Sequence, residues 1–429
     1  MANMDLLMVF LTILGIRLVW CEGQNDYCFS KDQNPYFLTS TKTPYHFVHG
    51  LINDTSVPNC KPMQVWALFR HGTRFPAAKE IGEIIHDLPD LQREIIENHE
   101  ECESDLCKED IENLKSWKPH PDLSIKKPKF LMKQGKEELS SLGGRFKYYF
   151  PDLLIPKRSD VTEKEHNFKS TSTQRTVASM ASFMKGLYGN DYQGFDNNFF
   201  LNSEIVSSKN DTLLRFSDFK EVNDFVNGTE FKRLILAIAF VNLCYQFLSD
   251  TVWLMYSACS YDRAWNVDKL SPWCAVFTKD EMEILEYEGD LFTYYRTGYG
   301  QNMSEMLGCS ILEKDATAEE PQGIFYFTHN ALLQTVYTAM GIAKDSTPLT
   351  ASNFRSMGDR KWRSSFLVPF AANLAAVFYK CDSSHKVKMY MNENPLEYEG
   401  CQDGLCDWEN LKQKLQPVAL NCNLEFCNS

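Results

Sequence analysis

The segment 65–76, VWALFRHGTRFP, constrains the fold more than any other part of the chain. Its five successive apolar residues, Val65 to Phe69, have the length and the lack of alternation of a strand buried on both faces. The run stops on Arg70-His71-Gly72-Thr73-Arg74, so a buried strand delivers a charged loop. Gly72 admits a tight backbone path, and Pro76 suits the first turn of a following helix. Arg70, His71 and Arg74 are then expected beyond the carboxyl end of a strand, where α/β sheets bind their ligands. Two guanidiniums beside one imidazole ask for an anion. A guanidinium fork matches phosphate oxygens, and a neutral imidazole can attack phosphorus and carry the phosphoryl group. The arginines also oppose protonation of the imidazole and so keep it nucleophilic. The bland alternative is a surface loop with salt-bridged arginines and an incidental histidine.

Two distant segments repeat the pattern. Residues 323–327, GIFYF, read as a strand that ends at Thr328-His329-Asn330-Ala331, and Leu332, Leu333, Val336 and Met340 begin a helix. Asn330 stands where an N-cap belongs. His329, at a strand end beside an anion pocket, is placed to donate to a phosphoryl oxygen. Residues 168–173 read as another short strand, followed by a helix with Val177, Met180, Met184 and Leu187 on one face. Arg175 lies at that junction. It either completes an anion site with the free N–H groups of the helix start or caps its own loop.

Arg70-His71-Gly72-Thr73-Arg74-Phe75-Pro76 resembles the RHGxRxP signature of the histidine acid phosphatases, a branch of the histidine phosphatase superfamily. Residues 40–45 (STKTPY), the Arg175 segment, Pro272-Trp273-Cys274, Gly298-Tyr299-Gly300 and Lys361-Trp362-Arg363-Ser364 resemble the inositol polyphosphate phosphatases within it. The resemblance implies an α/β fold, a sheet flanked by helices with a mostly helical inserted cap domain. It implies phosphomonoester hydrolysis through a phosphohistidine, with inositol polyphosphates as substrates and neither cofactor nor metal. His71 would be the nucleophile, Arg70, Arg74 and Arg175 the phosphate ligands, and His329 the stabiliser of the transferring group. Thr73 and Asn330 would line the pocket. One departure stands out: where the family carries Asp directly after the second histidine, or Glu two residues after it, this chain has Asn330 and Ala331. The proton donor is therefore unassigned: Asp160 and Glu163 are possible substitutes, but both are better explained as parts of a solvated loop. A broad-specificity acid phosphatase and a phosphate-ligand binding protein are the alternatives.

The 429 residues divide into a signal peptide (1–23), a first part of the α/β core (24–184), a helical block (185–322) that resembles the family's inserted cap, and a second part of the core (323–429). The apolar stretch 6–20 is interrupted by Arg17 and is shorter than a membrane span needs, so it reads as a signal peptide, with an uncleaved anchor as the alternative. Residues 231–248 are apolar nearly throughout, yet Asn242 and Gln246 make them a buried helix rather than a span. Fourteen cysteines and acceptor patterns at Asn53, Asn210, Asn227 and Asn302 fit the secretory pathway, with the product secreted or held in a lumen. The close pairs Cys102/Cys107, Cys401/Cys406 and Cys422/Cys427 are local bridges or pair elsewhere, and their surroundings do not build a zinc site. A net charge of −13 argues against a nucleic-acid partner, whose binding rests on basic residues, but permits a small polyanion in a locally basic cleft. The run Lys126-Lys127-Pro128-Lys129 is either the rim of such a cleft or a solvated face. Arg355, Arg360, Lys361 and Arg363 are likewise contacts for distal phosphates or solvated surface.

Overall fold

In the computed structural model the described residues are 27–420, apart from 34, 37, 103–105, 156–165, 302, 313–320 and most of 190–248. One mixed sheet of eight strands organises them, in the order β3-β2-β4-β1-β5-β6-β7, with β8 paired to β6. The strands are β1 (Cys60–Arg70), β2 (His166–Thr171), β3 (Ile205–Val206), β4 (Gly323–Thr328), β5 (Asn373–Cys381), β6 (His385–Met391), β7 (Asn394–Pro395) and β8 (Leu405–Asp407). β2, β4 and β1 run parallel, whereas β5 and β6 return antiparallel. The short β3 lies inside the segment expected to be helical, and pairs with β2.

The main helices are α1 (Ala78–Cys102), α2 (Lys108–Ser116), α3 (Lys133–Tyr149), α4 (Gln174–Tyr188), α5 (Ser249–Trp265), α6 (Lys279–Thr297), α7 (Met303–Leu312), α8 (Asn330–Met340) and α9 (Trp408–Leu420). None is long and apolar enough to cross a membrane. The proposed helix at 231–248 apart from Lys232, the proposed leader at 1–23, Asn210, Asn302, Asp160 and Glu163 lie outside the described residues.

β1 is longer than its apolar run. Burial alternates over its first half and becomes complete only from Ala67 to Arg70, where helices cover both faces of the sheet. The two-residue period then sorts the side chains. Val65, Ala67 and Phe69 join the core formed with α3 and α4, while Leu68 joins the core formed with α1, α5, α6 and α8. Phe69 stacks on Phe327 at 5.0 Å and sits 4.8 Å from Phe183, and burying such a ring contributes about 1.5–3 kcal/mol. α3 and α4 cross closely because Gly143 and Gly186 leave room. A Cβ on either would overlap backbone of the opposite helix, which explains two glycines that otherwise weaken helices.

Four disulfides join described cysteines: Cys28–Cys107, Cys60–Cys381 between β1 and β5, Cys259–Cys274 and the local Cys401–Cys406. Cys107 thus pairs with Cys28 rather than with its neighbour Cys102. Arg355 and Lys361 are exposed, as a solvated surface requires, but Arg360 and Arg363 depart from both expectations held for them. Arg360, 7% exposed, donates from Nε to Asp290 at 2.7 Å and from Nη2 to Glu286 at 3.1 Å, and Arg363 also meets Glu286. They are internal partners of α6, because its buried carboxylates need cations.

Candidate active site

The parallel strands β1, β2 and β4 end at one edge of the sheet. Arg70 is in register with Thr328, and Ser170 with Phe327, so the residues following each strand emerge side by side. Those residues are His71 after β1, His329 after β4, and Arg175 in the first turn of α4 after β2. The backbone at His71 is held on both sides, its N–H donating to Thr328 O at 3.0 Å and its carbonyl accepting from Ala371 N at 3.1 Å.

His71 is 3% exposed, and its Nδ1 lies 2.9 Å from the Gly72 carbonyl. A carbonyl only accepts, so Nδ1 carries the proton and Nε2 keeps its lone pair. Burial, followed by Arg70, Arg74, Arg175 and His329, holds the imidazole well below its ordinary pKa. It is therefore neutral at neutral pH.

Arg70 shares the face of Leu68, as the pleat requires, and is 2% exposed. Its Nη1 donates to the carbonyls of Thr41 and Val368, and its guanidinium lies 4.6 Å from the centre of the Phe370 ring. Burial and then Arg74 lower its pKa to about 9, which leaves it charged. Arg74 donates to the Phe75 carbonyl at 2.7 Å and to the Tyr261 hydroxyl at 3.1 Å. Neither guanidinium is hydrogen-bonded to a carboxylate among the described residues, although Glu138 is near enough to Arg70 to favour its charge. Gathering cations in a buried site costs energy that a bound dianion offsets.

Arg175 donates from Nη2 to His329 Nδ1 at 3.2 Å. Because a guanidinium only donates, the His329 proton is on Nε2, which faces Thr171 Oγ1 at 3.3 Å. Burial and then Arg175, Arg70, Arg74 and Lys129 push its pKa down to about 3. The two imidazoles stand 5.5 Å apart, centre to centre. All five expected residues therefore converge.

Asn330 departs from its expected role. The N-cap position of α8 is His329, without a side-chain cap, and Asn330 is the first helical residue, half-buried at the rim. Thr73 is fully buried, and its polar groups are committed to Glu138. Its hydroxyl donates to Glu138 Oε1 at 2.7 Å and its N–H to Glu138 Oε2 at 2.8 Å. Gly72 N–H adds a bond to Ser179 at 3.1 Å. Gly72 is required by proximity rather than by a turn: a Cβ there would strike the backbone of Gly135, and one on Gly135 would strike Thr73. In the run 126–129, Lys126 and Lys127 point to solvent, while Lys129 lies near enough to the site that, after burial, Arg74 and Arg175 lower its pKa.

Sequence reasoning missed Glu138 and Tyr261. Glu138 carries a signal, since a carboxylate four residues before Leu142 on the buried stripe of a helix needs a partner. Tyr261 has no comparable local mark. Three groups of metal-binding type cluster at Cys28, Cys107 and Asp110, but the two sulfurs are joined in a disulfide.

The multiple inositol polyphosphate phosphatase 1 of Drosophila melanogaster is 32% identical over 442 aligned residues, covering 95% of this chain and 91% of that protein. Among solved structures, the phytase from D. castellii superposes with a TM-score of 0.71 at 17% identity, covering 92% of this chain and 87% of that one. The Bifidobacterium longum multiple inositol polyphosphate phosphatase, in complex with inositol hexasulfate, gives 0.57 at 14% identity, with 89% and 97% covered. Both structures share the fold seen here, a mixed sheet flanked by helices. The profile of the histidine phosphatase superfamily (branch 2) matches residues 63–392, a span that opens within β1 and includes both histidines and all three arginines; the chain belongs to that superfamily.

Proposed function

We propose that this protein hydrolyses phosphomonoesters, with inositol polyphosphates as substrates, through a phosphohistidine on His71. The observation that carries this is the convergence of a neutral, buried imidazole with three guanidiniums at one sheet edge. Nε2 of His71 attacks phosphorus, Arg70, Arg74 and Arg175 hold the phosphoryl oxygens, and His329 steadies the charge that develops in transfer. Water then releases phosphate from His71. Thr73 and Glu138 hold the loop rather than touch substrate. The Drosophila relative and the hexasulfate-bound bacterial protein support a polyanionic inositol ligand, and Lys129 supplies further positive charge at the rim.

The four disulfides, with Asn53 and Asn227 exposed, support an oxidising lumenal or secreted setting. The segment 185–322 is proposed as a cap over a core formed by 24–184 and 323–429. The lack of a carboxylate at Asn330 and Ala331 favours a second reading, a binding protein without turnover.

Hydrolysis of inositol hexakisphosphate and of nitrophenyl phosphate by the wild type and by His71→Ala separates these readings, together with alkaline quenching to trap phosphohistidine. Turnover lost in the variant, with the phosphoryl group trapped on His71, is expected. Undiminished turnover by His71→Ala refutes the mechanism, and phosphate binding without turnover of either ester favours the binder.

A further inference from the structure

Cleaving an alkyl phosphate expels an alkoxide, which needs a proton as the P–O bond breaks. The groups acting most strongly on His71 are Arg70, Arg74, Arg175 and His329, and on His329 they are Arg175, Arg70, Arg74 and Lys129, none of them a carboxylic acid. Glu138 is close to Arg70, but both its oxygens are engaged by Thr73. Glu80 accepts from Ser257 and lies 4.0 Å from Lys42. Glu288 acts on Lys42.

Tyr261 of α5 differs from all of these. It is 1% exposed, comparable with His71, and its Oη accepts from Arg74 Nη1 at 3.1 Å. Its own O–H has no acceptor among the described residues. The ring is fixed by stacking on Trp265, with centroids 5.5 Å apart, and by Lys42, whose Nζ lies 5.3 Å from the ring centre. A buried phenol with an uncommitted proton, bonded to a phosphate-binding arginine, is an acid held at the reacting group.

Resting on the hydrolase reading above, we propose that Tyr261 is the proton donor to the leaving group, in place of the carboxylate absent at Asn330 and Ala331. In the first half-reaction His71 Nε2 bonds to phosphorus, the P–O ester bond breaks, and the Tyr261 proton passes to the departing oxygen. The phenolate that remains is stabilised by Arg74, Arg70 and Lys42. In the second half-reaction it takes a proton from the water that attacks phosphohistidine, which restores both Tyr261 and His71. Burial raises the phenol pKa to about 12 against the opposing effect of Arg74. It therefore stays protonated at neutral pH, yet remains more acidic than an alcohol.

The test measures turnover of inositol hexakisphosphate and nitrophenyl phosphate, and inhibition by inorganic phosphate, for the wild type, Tyr261→Phe and Glu288→Gln. Tyr261→Phe is expected to lower turnover of the alkyl ester about 10²-fold or more while changing nitrophenyl phosphate turnover by only about threefold, because nitrophenolate leaves without help. Phosphate inhibition stays as in the wild type, and Glu288→Gln behaves as the wild type. Site-specific 3-fluorotyrosine at 261 keeps the shape and the bond from Arg74 but makes a stronger acid, so the alkaline limb of alkyl-ester turnover moves to lower pH. The assignment is overturned by equal losses on both esters with weakened phosphate inhibition, by no loss on either, by the selective loss appearing in Glu288→Gln, or by an unmoved alkaline limb. A wild type that cleaves only nitrophenyl phosphate overturns Tyr261 but spares His71. A wild type that cleaves neither overturns both.

Discussion

Glu138→Gln probes the clamp that shapes the phosphate loop. The carboxylate, 8% exposed, takes both the N–H and the hydroxyl of Thr73. Those bonds and Arg70 favour its charged form, but burial outweighs them and raises its pKa from 4.5 to about 7. Between those values the folded protein holds a proton that the unfolded chain has released, so the contribution of Glu138 to stability is greatest below about pH 4.5 and falls until about pH 7. At about 1.4 kcal/mol per pH unit the fall comes to about 3 kcal/mol. Glutamine does not titrate, and it can keep both contacts: its carbonyl accepts from Thr73 N–H and its amide donates to Thr73 Oγ1. Urea unfolding of the wild type and the variant across this range should therefore show the wild type losing about 3 kcal/mol relative to the variant as pH rises. A difference between them that is constant with pH would refute this account of Glu138.

Two other expectations concern the same loop. With the His71 pKa held well below the usual histidine value, kcat/KM on nitrophenyl phosphate should show no fall from imidazole protonation between about pH 7.5 and about pH 5.5, whereas a decline centred on pH ~6.5 would contradict the neutral, buried nucleophile. Gly135→Ala places a Cβ against the Thr73 backbone and should cost about 1–3 kcal/mol and lower turnover, measured by thermal unfolding and by assay; wild-type values would mean that the α3–loop contact is looser than it looks.

Much of the site was legible because its chemistry lies in short segments. The apolar runs before His71 and His329 and the helical spacing after Arg175 and Asn330 are local patterns, and β1, β4, α4 and α8 follow them closely. Local pattern misled at Asn330, where the turn into α8 leaves His329 in the cap position, and at Gly72, where helix contact rather than turn geometry demands glycine. Arg360 looked like any surface arginine, since Glu286 and Asp290 lie more than sixty residues away. Tyr261 was one aromatic among many in a helix with several.

The amino-acid order alone determined which stretches form strands and helices and which side chains stand at their ends, because period, apolar runs and helix starts depend on near neighbours. Sheet order was decided only in three dimensions. Placing β4 between β2 and β1 brings Arg175 to His329 and both to His71, sets Glu138 behind Thr73, and accompanies the packing that puts Tyr261 against Arg74. Burial, ion pairing and pKa depend on what the whole fold packs around a group, so the acid–base character of this site exists only in the folded protein.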